Sequence, residues 1–106
     1  MATIRSYTTV EQSRKLAEFL LIESADCYWE DEISVEFGHG WHSQHVPCWS
    51  LAALLGVLPE GTRLLKSATD DAYHCDCPKC NIDEWFDDPI DACYELLLKL
   101  YKLKML

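Results

Sequence analysis

The chain is short of positive charge, of long apolar runs and of the short motifs that cradle phosphate or build a hydrolase. Nine Lys and Arg stand against eighteen Asp and Glu, a formal charge of −9. That balance argues against nucleic acid as a partner, because affinity for a phosphate backbone rests on Lys and Arg. No stretch approaches the ~20 apolar residues of a membrane span, and the first residues carry no apolar run of the signal-peptide kind. A cytoplasmic protein with no membrane partner is therefore expected. A Gly-rich phosphate loop, HExxH and GxSxG are all missing. So are internal repeats and low-complexity linkers.

What is present suits one folded domain over residues 1–106. Apolar residues make up 49% and aromatics 11% of the chain, enough for a single core. The acid is clustered: residues 23–36 hold six carboxylates and no base, and 70–91 hold eight against Lys79 alone. Such runs read as solvated loops. The sharper alternative is a surface for a basic partner, including mimicry of a nucleic acid.

Three helices can be placed. Asp88-Pro-Ile-Asp91 offers a cap, a proline at the first helical position and an acid at the positive end of the dipole, while Lys99, Lys102 and Lys104 crowd the other end. Ile90, Cys93, Tyr94, Leu97, Leu100 and Tyr101 then form one apolar face. Near the start, Thr8 with Glu11 or Thr9 with Gln12 fits a capping box. It opens a helix of about three turns whose inward stripe is Val10, Leu16, Ala17, Phe19, Leu20 and Leu21. In the middle, Ser50 caps 51–58, Trp49 can staple onto Leu54, and Pro59 stops the helix. Only Gly56 interrupts its side-chain hydrophobes, which predicts burial all round and a close backbone neighbour at Gly56.

Between these helices the signal is for strands. Residues 25–29 and 33–37 could be short strands inside the weakly patterned segment 22–46, a segment of the kind that often carries binding. Runs at 62–67, 72–77 and 82–86, separated by turn residues, predict a three-stranded antiparallel meander. The expected class is α+β, with three helices packed on a small antiparallel sheet and extra short strands from 26–37.

The six cysteines are the chemically distinctive feature. In a reducing compartment Cys27, Cys48, Cys75, Cys77, Cys80 and Cys93 default to free thiols or metal ligands. His74-Cys-Asp-Cys-Pro-Lys-Cys80 contains a CxxC like the knuckle of zinc ribbons, making Cys75, Cys77, Cys80 and His74 candidate zinc ligands. A fourth ligand could instead come from His39, His42, His45 or Cys48. The second CxxC that would complete a ribbon is absent. On a strand, however, Cys75 and Cys77 would face the core while His74 and Asp76 face outward. Cys48 beside a histidine is the candidate for a thiol enzyme. No spacing supplies an orienting third group, so catalysis is not expected.

Interaction is the remaining option. Leu96 and Leu103 on one flank of the last helix, Leu98 on the other, Met105 at its end and Trp41 in the irregular segment are candidate contact residues for a protein partner or a second copy of the chain.

Thr8-Thr-Val-Glu-Gln-Ser-Arg-Lys-Leu, Pro47-Cys-Trp-Ser-Leu-Ala-Ala-Leu-Leu and Asp88-Pro-Ile-Asp-Ala-Cys-Tyr-Glu together resemble a family of small bacterial proteins found in gut anaerobes and on their phages and mobile elements. The resemblance spans nearly the whole chain in three blocks. The family has no assigned activity. The likeness implies a scaffold role for Trp49, Ser50 and Leu51, and for Asp88, Pro89 and Asp91, in an accessory factor of a phage or mobile element. It does not extend to 74–80. The expected function is a non-catalytic interaction module, with a small zinc-binding domain as the alternative.

Overall fold

The computed structural model describes residues 5–31, 34–38, 45–80 and 82–105. Within them the chain runs α1 (Val10–Leu16), a 3₁₀ turn (Ile22–Ser24), β1 (Cys27–Trp29), β2 (Val35–Phe37), β3 (Val46–Cys48), α2 (Leu51–Val57), β4 (Arg63–Lys66), β5 (Tyr73–Asp76) and α3 (Pro89–Lys102). This is an α+β fold, as the sequence predicts, but its strands form two antiparallel sheets. One is ordered β2-β1-β3, the other is the β4-β5 hairpin.

Local chemistry explains each helix start. Thr9 caps α1, its hydroxyl accepting from Gln12 N while Gln12 Oε1 accepts from Thr9 N, so the capping box takes the second of the two possible registers. Ser50 Oγ accepts from Ala53 N at α2. Asp88 Oδ1 accepts from Ile90 N at α3, with Pro89 at the first helical position. At the far end of α3, Lys104 takes a left-handed φ of 58°. Its amide donates to Tyr101 O, and Met105 N donates to Leu100 O, which completes a Schellman cap around a lysine.

α3 is the central element. It packs on β5 and β4 on one side and on α2 on the other, while α1 packs on β3. Because two layers cover it, its buried face is broader than a single stripe. Ala92 and Leu96 are buried along with Ile90, Cys93, Leu97 and Leu100, and Tyr101 is exposed. The amino-terminal segment is tied to its start by Arg5, whose amide and guanidinium both donate to Asp88. The guanidinium also pairs with Asp91, which accepts from Gln12 Nε2 as well.

Several expectations need correcting. α1 ends at Leu16 after two turns, and Leu21 is 76% exposed rather than inward. α2 is not buried all round: Leu54 is buried, but Ala52, Leu55 and Gly56 lie on an open face. A Cβ built on Gly56 meets nothing within 4 Å, so no backbone neighbour requires glycine there. The 22–46 segment supplies β1 and β2, and β3 follows it as a strand the sequence did not suggest. The third run of the predicted meander, 82–86, reaches the hairpin only through a bridge between Phe86 and Tyr73. Among the described residues no helix is long and apolar enough to cross a membrane.

Candidate functional site

Two features rise above scaffold, an apolar end of the molecule and the arrangement of the thiols. At the apolar end, Phe19 stacks on Tyr101 with ring centroids 4.2 Å apart and planes within 10°. Leu21 and Ile22 follow Phe19 into solvent, and the turn that holds them packs against α2, whose Leu55 is also exposed. Tyr101 near the end of α3, and Leu103 and Met105 just beyond it, are exposed as well. Met105 and Leu100 line a cleft of about 390 Å³ with Pro59, Glu60, Cys77, Pro78 and Lys79.

The candidate contact residues divide. Leu96 is fully buried, so its place is in the core; the flank it occupies faces the layers that cover α3. Leu98 is half-buried on a shallow cleft with Ile82, Glu84, Glu95, Lys99 and Lys102. Leu103 is exposed. Trp41 lies outside the described residues.

The thiols come in pairs. Cys27 and Cys48 are register partners across β1 and β3, and both are fully buried. Cys93 on α3 donates to the sulfur of Cys75 on β5 at 3.8 Å. Cys77 and Cys80 exchange backbone hydrogen bonds, Cys77 N to Cys80 O and Cys80 N to Cys77 O, across the Pro78-Lys79 turn. The hydrogen bond from Cys93 holds Cys75 below the usual thiol value against the cost of burial, and the same bond together with burial pushes Cys93 up. Cys27 and Cys48 divide likewise. Contact with Cys48 and burial raise Cys27, while Cys27 and the hydroxyls of Thr8 and Ser13 lower Cys48.

His74 does not join the sulfurs. As strand alternation requires, it shares the outer face of β5 with Asp76, its Nε2 3.2 Å from Asp76 Oδ2 and its Nδ1 3.1 Å from the Glu84 carbonyl oxygen. Arg63 donates to both Asp76 oxygens, and this pairing outweighs burial in holding Asp76 below the ordinary carboxylate value. Cys75, Cys77, Cys80 and His74 thus do not converge. Among the described residues no three His, Cys, Asp or Glu side chains are placed to hold a metal ion.

Cys48 is sealed from solvent against Thr8, its sulfur donating to the Thr8 carbonyl at 3.6 Å, while His45 stacks on Tyr28. His39 and His42 lie outside the described residues. A cleft of about 590 Å³ is lined by Arg5, Tyr7, Thr8, Thr9, Val10, Glu11, Arg14 and Trp29, but its Arg5 is occupied by Asp88 and Asp91.

Sequence reasoning placed Cys93 only on a helix face and Cys27 in a tentative strand. The available signal was that Cys75 and Cys93 both fall on inward faces of elements expected to pack together. Compared with protein-family models, with curated proteins and with solved structures, the chain finds no match.

Proposed function

We propose that this chain is an interaction module that docks on a protein partner, or on a second copy of itself, through the apolar end carrying Leu21, Ile22, Tyr101, Leu103 and Met105. One observation carries the reading. Leu21 is 76% exposed two residues after Phe19, whose ring stacks on Tyr101, so one aromatic contact links the exposed apolar residues of the 3₁₀ turn to those at the end of α3. Single exposed leucines are ordinary; a group joined across two separate segments and left open by the described residues is the pattern of a contact surface. The net charge of −9 favours a partner with a basic rim around an apolar centre. An accessory role in a phage or mobile element, as the family resemblance implies, is the setting in which such a module would act.

The test is sedimentation of the pure chain over a wide concentration range, together with capture from host extract. Both are repeated with Leu21→Glu and Leu103→Glu, two exposed positions whose substitution leaves the core intact. Association or capture by the natural chain that both variants lose supports the proposal. A chain that stays monomeric and captures nothing, or variants that bind as well as the natural chain, would overturn it.

A further inference from the structure

All six cysteines fall into pairs, and none is left over. The partners are far apart in sequence in two of the three cases, so the pairing is a product of the fold. Register partners on antiparallel strands have Cα atoms about 4.5–5.5 Å apart, inside the range a disulfide spans. That covers Cys27 with Cys48, which sit opposite one another on β1 and β3. It also covers Cys77 with Cys80, whose reciprocal backbone bonds make them a hydrogen-bonded pair. For Cys75 and Cys93 the sulfurs themselves are 3.8 Å apart, in contact but not bonded. Six cysteines allow fifteen complete pairings, and the fold selects one of them.

We propose that Cys27–Cys48, Cys75–Cys93 and Cys77–Cys80 are three dithiol–disulfide couples, each closing when the protein meets a low-molecular-weight disulfide of the glutathione class. In each closure one protein thiolate attacks the external disulfide, forming a mixed disulfide and releasing one small thiol. The partner thiolate then attacks the protein sulfur of that mixed disulfide and expels the second small thiol. The two protein sulfurs are oxidised, the external disulfide is reduced to two thiols, and the two protons of the protein thiols end on the released thiols.

Access sets the order. Cys77 and Cys80 keep 6% and 7% of their surface exposed, and Cys77 lines the cleft beside Met105 and a second cleft with Gly61, Arg63, Asp76 and Pro78, so this turn pair is the one nearest to solvent. Cys27, Cys48 and Cys93 are fully buried and Cys75 nearly so, so those two pairs close only as the chain opens locally. By geometry the favoured nucleophile is Cys75 in one pair, its sulfur accepting from Cys93, and Cys48 in the other, its sulfur accepting from Thr8 Oγ1. Closure of Cys75–Cys93 bolts α3 to the hairpin, and closure of Cys27–Cys48 bolts β3 to β1.

The full-length reduced protein is incubated with glutathione disulfide, quenched by alkylation at intervals, and mapped by proteolysis and mass spectrometry. A parallel sample is treated in denaturant, where chain proximity alone guides pairing. The expected native result is Cys77–Cys80 first and the two buried pairs later. The denaturation midpoint should rise as those two form and return on reduction. The denatured sample should give a mixture. Native linkages matching the denatured mixture, stable mixed disulfides with glutathione, or thiols that stay unreacted would each overturn the proposal.

Discussion

Asp26 accepts two hydrogen bonds from Ser50, one from its amide and one from its hydroxyl, while the same hydroxyl caps α2 by accepting from Ala53 N. A carboxylate in the loop before β1 thereby fixes the start of a helix that lies 24 residues further on.

The pH consequence has a definite sign. Burial raises the Asp26 carboxyl, but the Ser50 hydroxyl and amide outweigh it and leave the group below its ordinary 3.8. A depressed carboxylate contributes stability that is complete above the unfolded value and is lost as pH falls through the folded one. Denaturant midpoints should therefore hold steady down to about pH 4 and then fall. Asp26→Asn should cost about 1 kcal/mol at neutral pH, given its partial exposure, and should flatten that acid limb. An unchanged limb would show that Asp26 is not held by Ser50.

Two glycines make opposite predictions. Gly56 lies in the last turn of α2 with open space where a Cβ would sit, so Gly56→Ala should stabilise by about 0.5–1 kcal/mol. Gly61 has φ +84° and a built Cβ falls 2.9 Å from Pro78 Cγ, so Gly61→Ala should destabilise by about 1–2 kcal/mol. Urea melts of the two variants compare these directly.

Lys104 occupies the left-handed position that glycine usually takes in a Schellman cap. Lys104→Gly should raise stability by about 0.5–1 kcal/mol, read as a shift in thermal midpoint. A loss would mean that the lysine side chain contributes more than its backbone costs.

Leu96 and Leu103 separate core from contact surface. Leu96→Ala removes a fully buried side chain and should cost about 2–5 kcal/mol. Leu103→Ala, at an exposed position, should stay within about 0.5 kcal/mol in a melt while weakening any association. Equal losses from both would place Leu103 in the core.

Asp88 should be the costliest cap. It is buried, holds Ile90 N, and accepts from the amide and guanidinium of Arg5. Asp88→Ala should cost about 2 kcal/mol, combining a lost cap with an orphaned Arg5 amide. Amide exchange would rise in the first turn of α3 and near residue 5 together.

What the sequence by itself determined is local. Thr8-Thr9 ahead of Glu11-Gln12 to within one residue, Ser50 before Leu51, and Asp88-Pro89 each place a helix start, because a cap needs only a side chain and an amide two or three residues on. Alternation along 73–77 likewise placed Cys75 inward and His74 outward, because successive strand residues must point to opposite faces. The tertiary structure alone decided which apolar faces are covered, since burial depends on elements distant in the chain. The residues of α2 read as hydrophobic throughout, yet Leu55 stays open; Leu96 looked peripheral, yet two layers close over it. The same long-range packing brings Cys48 opposite Cys27 and Cys93 against Cys75, juxtapositions that no spacing within the chain encodes.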